Sequence, residues 1–405
     1  MINSEIDKIN QNYNLIISLC KLDKVKKGLK MKFLHLADLH IGKKLNDFSL
    51  IEDQRYILTK IVNIVDEAKP DGVIIAGDVY DKAIPSAEAV EMFDDFLYKL
   101  SKRNLHVFVI SGNHDSAERI AFGGRIMDKS GIHMSPVYDG NIEPIALTDE
   151  YGNLNVYMLP FIKPGNVRRF YDEEINSYTD ALKIAIEKMN VDKNQRNIIV
   201  THQFVAGAQL CDSEEILSVG GTDQVAYTVF DEFDYVALGH IHSPQHISKE
   251  TIRYSGTPLK YSFSECSHKK SVTVVDFKEK GKVEINTIPL TAKRDLVEIK
   301  GEFDEITKEE YYKNLNTDDY FHITLTDDDI PDVINKLRKI YPNTMKLTYD
   351  NKRTQSNTKV GLAQNVENKS EYQLFAELYE KQNGTPLSEE QTEYLTKVIE
   401  KLKEN

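Results

Sequence analysis

Short apolar runs alternate with longer amphipathic segments over most of this chain, which is the pattern of a layered α/β domain. Five of the runs predict buried strands, and polar side chains follow each one; these runs span 32–37, 73–76, 105–110, 197–200 and 235–238. Three segments predict helices that cover the sheet, over 52–68, 86–103 and 176–189. The pattern therefore predicts an α/β (α+β layered) domain over residues 31–285.

The pattern changes after about residue 290. A strand over 319–325, a helix over 331–341 and a strand over 345–349 predict a small α/β unit, which we place at 286–350. Pro331 lies near the start of this helix, where proline is well tolerated. The unit is acidic and carries no cluster of potential ligands.

Both ends of the chain differ from the central domain. Residues 1–30 form an N-terminal extension to which we assign no function, and residues 351–369 predict a polar linker. Two amphipathic helices are predicted within 370–405; their apolar stripes include Leu374, Phe375, Leu378, Leu395 and Val398. Such helices cannot bury both stripes alone, which favours docking onto another surface.

Composition limits the possible classes of protein. The chain has 405 residues, 40% of them hydrophobic and 28% charged, as in an ordinary globular protein. The net charge of -13 argues against binding nucleic acid through the overall field, so any such contact is local, uses metals or is shared with a partner. Three cysteines without a Cys-x-x-Cys pair argue against disulfides and a thiolate zinc site and predict a cytoplasmic location. No apolar run is long enough to span a membrane.

The polar residues that follow the predicted strands form the candidate site. They occur as Asp-x-His, Gly-Asp, Gly-Asn-His-Asp, a lone histidine and Gly-His-Ile-His, in that order. Layered α/β folds place their sites at the carboxyl ends of strands, and divalent ions such as Mn²⁺ accept mixed carboxylate, amide and imidazole ligands. We therefore predict a site for two divalent metal ions, with these ligands: Asp38, His40, Asp78, Asn113, His202, His240 and His242.

Asp78 is the predicted bridge between the two ions. Ions held about 3.5–4 Å apart lower the pKa of a bridging water and neutralise a phosphate between them. His114 is next to a ligand but is predicted to protonate the leaving oxygen instead. Asp115 is predicted to orient His114, as a carboxylate often orients a working imidazole.

Each of these motifs also has a purely structural explanation. Asp-x-His or Gly-Asp alone is more often a turn than a ligand pair. The complete set, in this order and at strand ends, favours a metal site over chance. The other histidines with a predicted packing or surface role are His35, His106, His133, His246, His268 and His322. For four cationic residues, contact with phosphate and simple exposure to solvent are equally good explanations: Lys43, Lys44, Arg168 and Arg169.

The ordered motifs resemble the calcineurin-like metallophosphoesterase superfamily over residues 31–285. That resemblance implies a two-sheet β-sandwich flanked by helices, with two metals at the strand ends. A narrower resemblance is to the SbcD nuclease subunits of bacterial SbcC–SbcD complexes, and it rests on six segments: His35–Gly42, Gly77–Asp81, Leu159–Phe161, Ala237–Gln245, Tyr254–Ser262 and Phe375–Gly384.

The narrower resemblance implies a manganese-dependent DNA nuclease that acts with the SMC-type ATPase SbcC on double-stranded ends, hairpins and single strands, in DNA end processing, repair and recombination. It implies that one metal is held by Asp38, His40, Asp78 and His242, and the other by Asp78, Asn113, His202 and His240. It makes His114 the catalytic histidine and Asp81 a supporting candidate. It further implies a homodimer, a capping role for 286–350, and docking of the terminal helices on the coiled-coil root of SbcC.

Two other functions fit part of the pattern. The core motifs alone fit a phosphatase or phosphodiesterase of the same superfamily with a non-DNA substrate, although the cap and terminal helices argue against it. A non-catalytic scaffold that tethers DNA ends is the other alternative. Such descendants of metalloenzymes usually lose ligands, whereas all the expected ones are present here.

Overall fold

A computed structural model of the chain describes residues 30–214, 223–328, 330–351 and part of 372–399. The predicted extension, apart from Lys30, and the predicted linker, apart from Asn351, lie outside the described residues. The chain divides into two compact units between Leu296 and Val297. No helix among the described residues has both the length and the apolar character needed to cross a membrane.

Two six-stranded sheets form the frame of the first unit. Its strands are β1 (Met31–Leu36), β2 (Lys44–Leu45), β3 (Phe48–Ser49), β4 (Gly72–Ala76), β5 (His106–Ile110), β6 (Ile132–Met134), β7 (Ile145–Asp149), β8 (Gly152–Leu159), β9 (Arg196–His202), β10 (Tyr235–Gly239), β11 (Gln245–Ile247), β12 (Lys249–Tyr254), β13 (Ser271–Phe277) and β14 (Val283–Pro289). One sheet has the order β14-β13-β1-β4-β5-β6 and the other β11-β12-β10-β9-β8-β7, while β2 and β3 form a small antiparallel pair.

Helices cover the outer faces of these sheets. They are α1 (Ile51–Ala68), α2 (Ala87–Ser101), α3 (Ala117–Ala121), α4 (Gly124–Met127), α5 (Pro164–Val167) and α6 (Tyr178–Lys188), with 3₁₀ turns at Asp128–Ser130, Tyr227–Phe230 and Phe263–Glu265. The Ser86 hydroxyl accepts a hydrogen bond from the Ala89 amide and so starts α2. Ser177 and Asp180 form a capping box that starts α6.

Three apolar clusters hold the layers together. Between the sheets, side chains such as Phe33 and Phe108 from one sheet pack with Ile198 and Val200 from the other. A second cluster joins the outer face of the first sheet to α1 and α2, and a third joins the second sheet to α6. This two-sheet sandwich flanked by helices confirms the predicted fold class.

The second unit is a small α/β body. It contains β15 (Leu296–Gly301), α7 (Phe303–Ile306), α8 (Glu309–Tyr312), β16 (Tyr320–Leu325), α9 (Val333–Leu337) and β17 (Thr344–Tyr349), with the sheet order β15-β16-β17. β15 was not predicted. The predicted helix over 331–341 was too long at both ends: Asp332 has a left-handed backbone (φ 56°), so the helix starts only after it, and the helix ends at Leu337.

One predicted boundary can be compared with this architecture. β14 pairs along its whole length with β13, so the first sheet continues beyond the boundary we placed at residue 285. In the C-terminal region, helical residues are found on both sides of residues 386–388. Ser388 and Gln391 cap the second of these stretches, since each residue's side chain accepts a hydrogen bond from the other's amide.

Candidate metal centre

The carboxyl ends of both sheets meet at one site. Asp38 follows β1 and Asp78 follows β4 in the first sheet, while His202 ends β9 and His240 follows β10 in the second. Backbone hydrogen bonds tie the loops together: the amide of Asp38 donates to Gly77 (3.0 Å), and that of His40 donates to Asp78 (3.0 Å). The structure thus brings the predicted ligands together, as expected from their positions at strand ends.

Several of these residues have unusual backbone conformations. The φ angles are 53° at Asp38, 44° at His40, 49° at Asp78 and 101° at His240. Positive φ is uncommon in residues other than glycine and persists only where the surroundings impose it. Here the hydrogen bonds between loops hold these conformations, which turn the side chains toward a common point.

The carboxylate of Asp78 lies at the middle of the group. Its Oδ2 is 3.4 Å from Nε2 of His202, 3.7 Å from Nε2 of His40 and 4.0 Å from Nε2 of His114. Its Oδ1 accepts the amide hydrogen of His114 at 2.9 Å. Asp78 therefore faces imidazoles from both sheets, the arrangement that a bridging carboxylate requires.

Two sets of donor atoms lie beside Asp78. In one, donor atoms of Asp38, His40 and His242 lie within 4.8 Å of one another, and the two Nε2 atoms are 3.1 Å apart. In the other, Oδ1 of Asn113 lies 2.9 Å from Nε2 of His202 and 2.9 Å from Nδ1 of His240. These are the two ligand sets that the family resemblance implied.

The electrostatics suit a cation. Burial alone would raise the pKa of Asp78, but the facing histidines, His202 foremost, hold it below its usual range. Despite its burial, His202 has a pKa raised to about 9 because it faces Asp78 and Asp38; a cation bound there would displace this proton. Burial lowers the pKa of His40 and takes that of His240 to about 3, so both imidazoles stay neutral, the form that binds metal. These donors fit two divalent ions.

His114 lies at the edge of this group, with 22% of its side chain exposed. Its Nδ1 is 3.1 Å from the backbone carbonyl of Asp81, and its ring packs edge-on against His40. The Asp115 carboxylate accepts hydrogen bonds from three amides, those of Val79, Tyr80 and Gly112. Asp115 thus holds the backbone around the site, and the orienting role predicted for it stays a prediction.

The four predicted phosphate contacts differ in their surroundings. The Lys43 ammonium is 2.8 Å from the Asp81 carboxylate, which places it beside the histidines of the site. Lys44 is exposed in β2. Arg168 and Arg169 are exposed after α5, and Nε of Arg168 donates to the carbonyl of Ile175.

Sequence reasoning missed the residues that support the ligands. The Gln54 amide donates to the carbonyl of His40 at 2.7 Å and bonds to the hydroxyl of Tyr261. On the other side, Ser213 and Glu265 form a hydrogen-bonded connection to His242. None of these residues belongs to a metal-binding motif in the sequence; Tyr261 lies within the segment Tyr254–Ser262 noted for its family resemblance, but no role was assigned to it.

Family models match both units. The model described as calcineurin-like phosphoesterase matches residues 31–244. The chain therefore belongs to this class of phosphoesterases, and its fold and clustered ligands agree with that. A second model, described as Type 5 capsule protein repressor C-terminal domain, matches residues 292–383.

A curated relative is more specific. The chain is 35% identical to the SbcD subunit of the SbcCD nuclease of Staphylococcus epidermidis over 323 residues, which are 78% of this chain and 85% of that protein. Within the phosphoesterase class, the chain thus belongs to the SbcD family of nuclease subunits and is an enzyme of that family.

Two solved structures show distant similarity. The protein TT1561 of Thermus thermophilus is 13% identical and covers 64% of this chain and 99% of its own, with a TM-score of 0.36. A dimetal phosphatase from Danio rerio is 12% identical with the same coverage and a TM-score of 0.35. At these scores neither structure adds to what the family models show.

Proposed function

We propose that this chain is a DNA nuclease with two Mn²⁺ ions, acting in the cytoplasm with an SbcC-like ATPase on double-stranded ends, hairpins and single strands. The observation that carries the proposal is Asp78, whose Oδ2 lies within 4.0 Å of three histidines from both sheets. The family membership supports nuclease activity. Metals and a partner would supply the positive field that the acidic chain lacks.

The two donor sets support an assignment of residues to each ion. Asp38, His40 and His242 would hold one ion, Asn113, His202 and His240 would hold the other, and Asp78 would serve both. When bound, the pair activates water and neutralises the charge of a phosphodiester. Asp78 is buried and pre-positioned by the amide of His114, so little reorganisation is required on binding.

His114 moves a proton in this proposal. General-acid action requires the doubly protonated ring, in which Nδ1–H donates to the Asp81 carbonyl and Nε2–H carries the proton that goes to the departing 3′ oxygen. The partial exposure of His114 gives substrate access to the ring, in contrast to the buried His40 and His202. Lys43, held beside the site by Asp81, is positioned to meet a phosphate of the DNA backbone.

We place the contacts with protein partners on the C-terminal helices and on α2. Described residues of the terminal helices line an apolar cleft of about 450 Å³, among them Phe375, Leu395 and Val398. We assign this cleft to the ATPase partner; Leu374 and Leu378 of the same prediction lie outside the residues whose side chains are described. For a homodimer, exposed Val90 and Tyr98 on α2 are candidate contacts.

Cleavage of a labelled blunt duplex and a hairpin, with and without Mn²⁺, tests the proposal. The His114→Ala variant should lose activity by at least about a hundredfold, the lower range for general acid–base catalysis. His246→Ala is the matched control, since His246 is an exposed histidine outside the site.

The substrate class follows from the same assay. A chain that hydrolyses a phosphomonoester but no DNA, even with the ATPase added, would instead be a phosphatase. DNA binding without cleavage in the Mn²⁺-loaded complex would indicate a scaffold.

A further inference from the structure

A chain of hydrogen bonds lies behind the ring of His242. The Ser213 hydroxyl is 2.8 Å from Nδ1 of His242 and 2.6 Å from Oε1 of Glu265. An ionised carboxylate can only accept, so the hydroxyl donates to Glu265 and accepts from Nδ1–H of His242. This leaves the lone pair of His242 on Nε2, which faces Nε2 of His40 at 3.1 Å.

Lys270 keeps the Glu265 carboxylate ionised and in place. The ammonium forms an ion pair with Oε2 of Glu265, and it also donates to the Thr257 hydroxyl (2.7 Å) and to the carbonyl of His242 (2.9 Å). Both ionic side chains are buried, and all three ammonium hydrogens have acceptors. The same ion pair thus anchors His242 twice, through its backbone carbonyl and, via Ser213, through its ring.

The segment that carries Ser213 is itself attached to His242. Oε1 of Glu214 accepts the amide hydrogen of His242 at 2.8 Å, and Oε2 accepts that of Cys211 at 2.6 Å. Ser213 is therefore held over the ring by its neighbour in sequence.

The other ligand set is fixed differently. Nδ1 of His202 lies 2.9 Å from the backbone carbonyl of Ala76, a partner that no side-chain substitution removes. Hydrogen bonds to the remote ring nitrogen set which nitrogen of a histidine can bind a metal, and removing such a partner typically weakens binding about 10–100-fold. The two halves of the site should therefore respond unequally to a change at Ser213.

We propose that Ser213, backed by the buried pair Glu265–Lys270, is a positioning residue that fixes the proton and the ring plane of His242 for one of the two metals. This inference rests on the proposed two-metal function. The residue that positions His242 thus lies 29 residues before it in the chain, outside the metal-site motifs.

The test is Mn²⁺ binding to the full-length chain, measured by calorimetry and by the electron paramagnetic resonance signal of a spin-coupled pair. Ser213→Ala should weaken one binding event about 10–100-fold and leave the other within about twofold, and the coupled signal should appear only at correspondingly higher Mn²⁺. Ser213→Thr keeps the hydroxyl and should restore the affinity.

Ser264→Ala is the matched control. The Ser264 hydroxyl accepts the amide hydrogen of Asp212 (3.1 Å) and so contacts the same segment without touching His242. Three results would each overturn the inference: unchanged Mn²⁺ affinities in Ser213→Ala, an equal loss of affinity in Ser264→Ala, or a Ser213→Thr variant that behaves like Ser213→Ala. A wild-type chain that binds fewer than two Mn²⁺ would instead overturn the proposed function, so the two failures are distinguishable.

Discussion

Replacing Gly112 with alanine should displace Asp78 from the centre of the site. A Cβ atom at Gly112 would lie 2.1 Å from Oδ1 and 2.4 Å from the amide nitrogen of Asp78. Ordinary contacts start at about 3.4 Å, so Asp78 must move by roughly 1.3 Å, whereas metal–ligand distances tolerate only about 0.2 Å. Because Asp78 serves both donor sets, we expect Gly112→Ala to weaken both Mn²⁺ binding events by about a hundredfold or more.

Calorimetric titration of Mn²⁺ into the purified variant measures this effect, with duplex cleavage as the second readout. Gly165→Ala is the matched control, because a Cβ atom there meets nothing within 4 Å. The thermal unfolding of both variants shows whether the first unit remains folded. Two Mn²⁺ ions bound by a folded Gly112→Ala variant with wild-type affinities would refute the role assigned to Asp78.

Three further predictions concern stability and partner binding. Arg196→Met removes a buried bidentate partner of Asp149 and should cost about 3–5 kcal/mol in urea unfolding; a loss below about 1 kcal/mol would contradict this. Burial lowers the pKa of His35 to about 3 in the fold, so the unfolded chain takes up the proton first and stability is lost as pH falls below about 6.5. Between pH 6.5 and 5 the wild type should lose about 2 kcal/mol more than His35→Gln, which can still bond to Tyr235, and equal losses would refute this. Phe375→Asp should weaken binding to an SbcC-like partner at least tenfold in a pull-down titration without reducing Mn²⁺ binding.

The strand-end motifs were predictable from the sequence because position along a buried strand decides where a side chain goes. The runs that end before Asp78 and before Asn113 are continuous apolar segments, as expected for parallel strands buried on both faces. Their carboxyl ends share one edge of the sheet, so sequence order alone placed these residues together. The same reasoning placed His202 and His240 at strand ends, and the structure shows those strands in the second sheet.

The supporting residues were not predictable in this way. Ser213 and Glu265 are 52 residues apart, and their hydrogen bond depends on how two loops pack, for which the sequence has no periodic signal. The left-handed backbone of Asp332, which moves the start of α9 to Val333, is likewise a local conformation that the spacing of apolar residues does not reveal. β15 was missed for another reason. Its buried residues, Leu296 and Ile299, do not alternate regularly with exposed ones, so the segment lacks the pattern that predicts a strand.

The most direct test of the two-metal site is the location of the metals themselves. Crystals of the chain grown with Mn²⁺ would give anomalous difference density at each ion. We predict two peaks about 3.5–4 Å apart on either side of the Asp78 carboxylate, one next to His40 and His242 and the other next to His202 and His240. A single peak, or peaks that do not contact Asp78, would contradict a dinuclear site bridged by this carboxylate.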